Sequence, residues 1–186
     1  FREDAISFRR VADVEVDGNV LKDNGKIWED RISGISFNGF FKNISIHDNF
    51  VVRSNSDGIE LFCEQRCERA RQIEVYHNML RDNGEQGVWL QHLTSSHVHN
   101  NLIFGSNNNG VCLEWDVSEV QIDHNVIVNC GGIPGAKHHG GGAVGICYSF
   151  NNLIENNVLM GSTISGISIN DHMRDEGEYP FVSRNN

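Results

Sequence analysis

Proline is nearly missing from this chain, with two residues in 186. Its turns must rest on other residues, and 19 glycines together with many asparagines and aspartates supply them. Asparagine tolerates the left-handed backbone region that tight turns need better than most residues do. Long apolar runs are missing too: no stretch approaches the ~18 residues of a transmembrane helix. No segment shows sustained helical periodicity between capping residues. Basic residues are few, 15 Lys and Arg against 25 Asp and Glu, which gives a net charge of −10. That balance argues against a nucleic-acid partner and against an unaided polyanion, since both need a basic surface. No membrane partner is expected.

What the chain does have is one short phrase, written repeatedly. An apolar residue, a variable residue, a second apolar residue and two variable residues lead to an asparagine. The copies end at Asn19, Asn49, Asn78, Asn101, Asn125 and Asn157. Two copies open on polar Ser96 and Asn152 but keep Val98 and Ile154 at the second apolar position. The asparagines recur every 23 to 32 residues, a period and a variability typical of solenoids. In each interval a glycine leads an alternating strand: Gly34-Ile-Ser-Phe, Gly58-Ile-Glu-Leu, Gly87-Val-Trp-Leu, Gly110-Val-Cys-Leu, Gly145-Ile-Cys-Tyr and Gly166-Ile-Ser-Ile. Strict alternation is the period of a strand, not of a helix. About three short strands per copy, with a turn asparagine, predict an all-β, single-stranded parallel β-helix of about 6–7 coils. The L-x-x-L-x-L-x-x-N skeleton of leucine-rich repeats, which share this period, is absent.

Aligning the copies turns the sequence into columns. The first and third residues after each glycine are expected to point inward, as are Val16, Ile46, Val75, Val98, Ile122 and Ile154. Leu21, Val51, Leu80, Ile103, Ile127 and Leu159 form a third inward column. The key asparagines are expected to stack as a ladder, their amides bonding up and down the solenoid. Val20, Phe50, Met79, Leu102, Val126 and Val158 start beside that ladder; they either face outward or turn into the corner as core, and the corner is preferred.

Five cysteines leave at least one unpaired. Cys63 and Cys67 bracket a polar insertion and could close a small loop. Cys112 and Cys147 are expected in the same register of neighbouring coils, ~4.8 Å apart, where they either cross-link or stay reduced. Cysteine usage leaves the redox compartment open.

Over roughly residues 14 to 170, these phrases resemble the right-handed parallel β-helix superfamily of pectate lyases, polygalacturonases, alginate lyases and epimerases, and phage tailspikes. The resemblance implies a right-handed coil, a polysaccharide or oligosaccharide partner, and an extracellular or cell-surface location. The chain starts at Phe1, and its pattern runs to within a few residues of both ends, whereas solenoids need capping repeats. Residues 1–186 are therefore expected to be one β-helix domain, a portion of a longer chain, with end-to-end or flanking-domain contacts.

The outward columns are where chemistry could lie. On the glycine-led strands, Glu60, Trp89 and Cys112 occupy successive levels, with Gln91 and Glu114 one step along. A flat Trp face suits a pyranose ring, and nearby acids suit a glycosidic oxygen. The alternative is a Trp89 covered by the Cys63–Arg71 loop, with solvated acids. The candidate catalytic residues are Glu60, Glu114 and Asp57. The candidate substrate-binding residues are Trp89, Gln91, Asp116 and His138, the last from a glycine-rich insertion that is either a flap or a passive loop. Glu60 and Glu114, two coils apart, should stand ~9–10 Å apart. That is the upper limit for an inverting pair and beyond a retaining one. Asn55-Ser56-Asp57-Gly58 resembles the Asn-Thr-Asp-Gly segment of polygalacturonase-type hydrolases, in which the aspartate is a catalytic acid. The chain departs from that pattern at Gly84-Glu85-Gln86-Gly87, where an Asp-Asp pair belongs, and at Asn108-Asn109-Gly110, near the place of a Gly-His-Gly.

The strands ahead of the asparagines carry an alternative catalytic face, Tyr76, His97 and His99, and Tyr/His pairs serve several β-helix lyases. Two histidines two apart on a strand point to one side, a geometry suited to a metal, though no metal set is assigned. Otherwise the face is merely polar and solvated. Hydrolysis is preferred over elimination. A polyuronate lyase needs cations to neutralise the uronate, and the outward central columns hold no Lys or Arg, although Arg66, Arg69, Arg71 and Lys137 could enter from loops. No cofactor is expected, and Ca²⁺ would enter only with a lyase. The competing function is a non-catalytic glycan-binding or structural stem.

Overall fold

The computed structural model describes residues 4–25, 32–64, 68–131 and 141–170. The chain winds as a parallel β-helix with three strand faces. The first face stacks the front parts of β1 (Ile6–Asp17) and β3 (Ile35–His47), then β5 (Ile59–Phe62), β8 (Val88–Gln91), β11 (Val111–Glu114), β14 (Gly142–Cys147) and β17 (Ser165–Asn170). The second stacks the rear parts of β1 and β3, then β6 (Ala70–Tyr76), β9 (Leu93–His99), β12 (Ser118–Asp123) and β15 (Leu153–Glu155). The third stacks β2 (Val20–Lys22), β4 (Phe50–Val52), β7 (Met79–Arg81), β10 (Leu102–Phe104), β13 (Val126–Val128) and β16 (Val158–Met160). Every strand pairing is parallel. In the first two coils the first and second faces share one continuous strand, with a register shift between Arg9 and Val11.

The corners are made by residues with φ near +50 to +65°. One precedes each key asparagine: Gly18, Asp48, His77, Asn100, His124 and Asn156. A second set, Asp13, Asn43, Gln72, Ser95, Glu119 and Asn151, turns the chain onto the second face. Asp23, Arg53, Asp82, Gly105, Asn129 and Gly161 turn it off the third. Left-handed corners thus let a chain with two prolines close each coil without them.

The asparagines that follow the first set of corners are bonded to one another. Asn19 Nδ2 donates to Asn49 Oδ1 at 2.9 Å, and the contact repeats from Asn49 to Asn78, Asn78 to Asn101, Asn101 to Asn125 and Asn125 to Asn157, each at 3.0 Å. The same Nδ2 also reaches backbone carbonyls; that of Asn101 donates to Val75 O and His99 O. Asn49, Asn78, Asn101 and Asn125 are buried, so each amide's hydrogen-bonding capacity must be met inside the protein.

The inward columns fill the interior. Ile35, Ile59, Val88, Val111 and Val144 pair level by level, as do Phe37, Leu61, Leu90, Leu113 and Ile146, and all are buried. The columns through Val75 and Leu80 stack with the expected partners. Two registers differ from the sequence reading. The first face starts one coil earlier, since Ile6 and Phe8 pair with Ile35 and Phe37. In the sixth coil the leading residue is Ala143, because Val144 pairs with Val111 and Ile146 with Leu113. A Cβ at Gly58 or Gly87 would meet the next coil's glycine carbonyl at 2.7 or 2.5 Å, so these leading positions favour glycine by close backbone approach. Alanine in that position hid the coil's true start. Cys112 consequently pairs with Gly145, and Cys147 with Glu114, so the expected Cys112–Cys147 stacking does not form. The Cys63–Cys67 loop falls partly outside the described residues.

The apolar column beside the ladder also differs from the preferred reading. Strand alternation continues through the corner, so Leu80 points inward while Met79 faces solvent; Val20 and Val158 are likewise exposed.

Candidate functional site

On the first face, the structure turns the expected sugar platform into a sealed cluster. Trp89 stands in the outward column between Glu60 and Cys112 but retains only 8% of its surface. Phe62 stacks on it with ring centroids 6.1 Å apart, and its Nε1 donates to Glu114 Oε2 at 2.8 Å. Trp115 Nε1 donates to the other oxygen, Oε1, at 2.7 Å, and itself packs on Tyr148. Glu114, 3% exposed, is a buried carboxylate clasped by two indoles. Two charge-assisted hydrogen bonds offset the loss of water around such a group. Neither an open stacking face nor a solvated acid exists at this position, which corrects the reading of Trp89 and Glu114.

The other first-face candidates are held individually. Asp57 is fully buried, and its Oδ1 accepts the backbone N–H of Gln86 at 2.9 Å. Asn109 does the same for Gly142 N at 2.8 Å. Asp57 therefore begins a second stacked turn motif just ahead of the leading glycines, and the Asn-x-Asp-Gly likeness marks a clamp between coils at a site shut off from solvent. Glu60, half-buried, accepts from Ser33 Oγ at 2.7 Å, one coil toward the N-terminus, whereas Glu114 belongs two coils the other way. Gln91 is buried, and its Oε1 has no hydrogen-bond partner among the described residues. Asp116 sits at a left-handed corner, forked by Arg69, whose Nε donates to Oδ2 at 2.9 Å; His92 Nδ1 lies 3.3 Å from the same oxygen. Asp116 is thus an ion-paired strut between insertion and coil. His138 lies outside the described residues. The buried Cys112 thiol is pushed well above its ordinary value by desolvation, which leaves it a poor nucleophile.

The second face is open by contrast. Its outward columns stack as the repeat alignment expects: Glu15, Ser45, Glu74, His97 and Gln121 in one, Asp17, His47, Tyr76, His99 and Asp123 in the other. The rings of the second column pile along the solenoid. His47 and Tyr76 stack at 4.7 Å, and Tyr76 and His99 at 5.2 Å with only 6° between planes. His97 lies 4.0 Å from His99, ring centre to ring centre. Beside the stack lies a groove of about 640 Å³ whose polar lining is Asp13, Glu15, Asn43, Ser45, Gln72 and Glu74.

Electrostatics differ along this column. Hydrogen bonds donated to Asp48 and then Glu15 hold the His47 pKa above its usual value; the contacts are 2.8 Å at Nδ1 and 2.9 Å at Nε2. His99 is shifted down, first by burial and then by the neighbouring His97. Burial alone would raise the Asp123 carboxyl, but hydrogen bonds from His97 and His124 outweigh it and bring the carboxyl below its usual value. The sequence pointed to Tyr76, His97 and His99 here, but it did not assign Glu15, Glu74, His47 or Asp123 to a site. The repeat register places them in these columns, but it does not say which of the column's acids border a groove.

Among the described residues, no helix is long and apolar enough to cross a membrane. No curated protein and no solved structure matches the chain. The family model that does match, described as the right-handed beta helix region, covers residues 4–184, and the chain belongs to that family.

Proposed function

We propose that this β-helix acts on a polysaccharide lying in the second-face groove, and that it is a glycoside hydrolase whose paired carboxylates are Glu15 and Glu74. The observation that carries this reading is their placement: both are exposed, in one outward column, with Ser45 between them and the groove around them. Two coil spacings separate their backbones by roughly 9–10 Å. That spacing lies at the upper limit for an inverting pair and beyond a retaining one, so the proposal takes inversion, in which one carboxyl protonates the leaving oxygen and the other activates a water on the opposite face. His47 Nε2, at 2.9 Å from Glu15 Oε1, holds Glu15 in the pose a base needs, while Glu74 projects as the acid. Asn43, Gln72 and Ser45 offer the donors and acceptors that sugar hydroxyls require. The acidic lining and the net charge of −10 favour a neutral glycan over a polyuronate.

The test is a panel of neutral and acidic polysaccharides, with reducing-end release and ultraviolet absorbance of unsaturated products followed in parallel. Release without absorbance, inverted anomeric product, and a loss of about 10²–10⁴-fold in kcat for Glu74→Gln are expected. Unsaturated product would replace hydrolysis by elimination. Binding with no turnover would replace it by a glycan-binding stem.

A further inference from the structure

Next to the proposed carboxylate pair stands a cluster that hydrolysis does not use. His97 and His99 alternate on β9, so both project outward, and β12 sets Asp123 in register with His99 one coil on. His97 Nε2 already lies 3.0 Å from Asp123 Oδ1. One donor atom from each of the three residues can be chosen so that all lie within 4.8 Å of one another. We propose that His97, His99 and Asp123 bind a divalent transition-metal cation, zinc being the natural probe.

The donor set selects the class of ion. Two imidazole nitrogens and one carboxylate suit zinc and its neighbours, whereas calcium and magnesium take oxygen ligands. Bond lengths of 2.0–2.2 Å put tetrahedral donors roughly 3.3–3.5 Å apart, so the His97–Asp123 edge needs almost no adjustment. The edges to His99 are at most 4.8 Å, so its ring must shift toward the other two donors when the cation binds.

The surroundings of the three residues are those a metal site requires. Asp123 is 5% exposed; Gln121 Nε2 bonds its second oxygen, Oδ2, while Oδ1 faces the imidazoles, 3.0 Å from His97 Nε2 and 3.3 Å from His124 Nδ1, and is the oxygen a cation would take. The Asn100 side-chain amide lies 2.9 Å from His99 Nδ1. With its oxygen toward the ring, a half-turn of the amide, Asn100 accepts the Nδ1–H and leaves Nε2 to the metal. Three protein ligands leave coordination positions for water or a ligand oxygen, the pattern of reactive rather than purely structural zinc sites. The cation would stand one coil from Glu74, which is in register with His97. The proposal does not rest on the hydrolase reading, because cation binding is measured without a glycan.

The experiment is calorimetric titration of the chelator-treated full chain with zinc chloride, followed by cobalt substitution and absorption spectroscopy. One saturable equivalent is expected, and the cobalt form should lack the near-ultraviolet thiolate charge-transfer band that cysteine ligation would give. His99→Ala and Asp123→Asn should each abolish that equivalent. Gln121→Leu should weaken it by about 10–100-fold, as loss of an orienting partner does. His47→Gln, and a double His138→Ala and His139→Ala variant, should bind as wild type does. Should the Asp123 variant fail to fold, His97→Asn, at a half-exposed position, carries the same test. Equal zinc stoichiometry in wild type and the His97→Ala/His99→Ala variant, a cobalt–thiolate band, or no saturable equivalent would each overturn the proposal.

Discussion

The first and second faces carry the same kinds of side chain, carboxylates and rings, and treat them in opposite ways. On the first face, large insertions flank the strands, and Glu114 is spent between two indole N–H groups while Phe62 covers Trp89. On the second, a single left-handed residue and the key asparagine lead each strand to the third face, and Glu15 and Glu74 stay exposed with a groove between. The lesson is that an outward position on a β-helix is not the same as an exposed one. What the coil presents to solvent depends on what the corners carry, and an acid beside an aromatic becomes a packing element once a neighbour closes over it.

The largest effect that would test this contrast is Trp89→Ala. If the ring is packed rather than presented, its removal should lower unfolding free energy by about 3–5 kcal/mol. The urea midpoint reads it; a variant of unchanged stability would reopen the platform. Next, Glu114→Leu should destabilise by about 2–3 kcal/mol, because the buried Trp89 and the half-buried Trp115 indole N–H groups lose their acceptor. Turnover per folded molecule should be unchanged, which separates it from the groove acids.

A pH series sharpens the contrast within the second face. The His47 pKa is raised, so its stabilising contribution is fully present below about pH 6.5 and is lost as pH rises through the folded value. The His99 pKa is lowered, so its contribution is present above about pH 6.5 and is lost as pH falls through the folded value. The stability difference between wild type and His47→Gln should therefore shrink from pH 5.5 to 8.5. Imidazole proton titrations should place His47 above His99, and the reverse order would refute the assignment. The smallest effect is Glu74→Gln on stability, within about 0.5 kcal/mol, as for an exposed side chain without buried partners. A larger loss by denaturant titration would mean the second face is closed too.

Most of the coil was legible because its period is written in residues that the backbone itself requires. An asparagine after a left-handed corner and apolar residues at alternating positions fix strand, corner and level with no knowledge of distant contacts. The columns Glu15–Ser45–Glu74–His97–Gln121 and His47–Tyr76–His99–Asp123 followed from that register alone. The sixth coil misled because Ala143 fills a position that glycine marks elsewhere, and a downstream glycine, Gly145, took its place in the alignment.

The sequence by itself determined the solenoid, its asparagine column and most of its inward and outward columns, because those are local and periodic. Only the tertiary structure decided which outward residues meet water. Whether Glu114 is a free acid or the acceptor of two indoles depends on where Trp89 and Trp115 lie around it, and Trp89 is a coil away in space and 25 residues away in sequence. Periodicity carries no information about such a meeting. Burial and hydrogen bonding between coils, not residue type, separate the sealed Asp57 and Glu114 of the first face from the open Glu15 and Glu74 of the second.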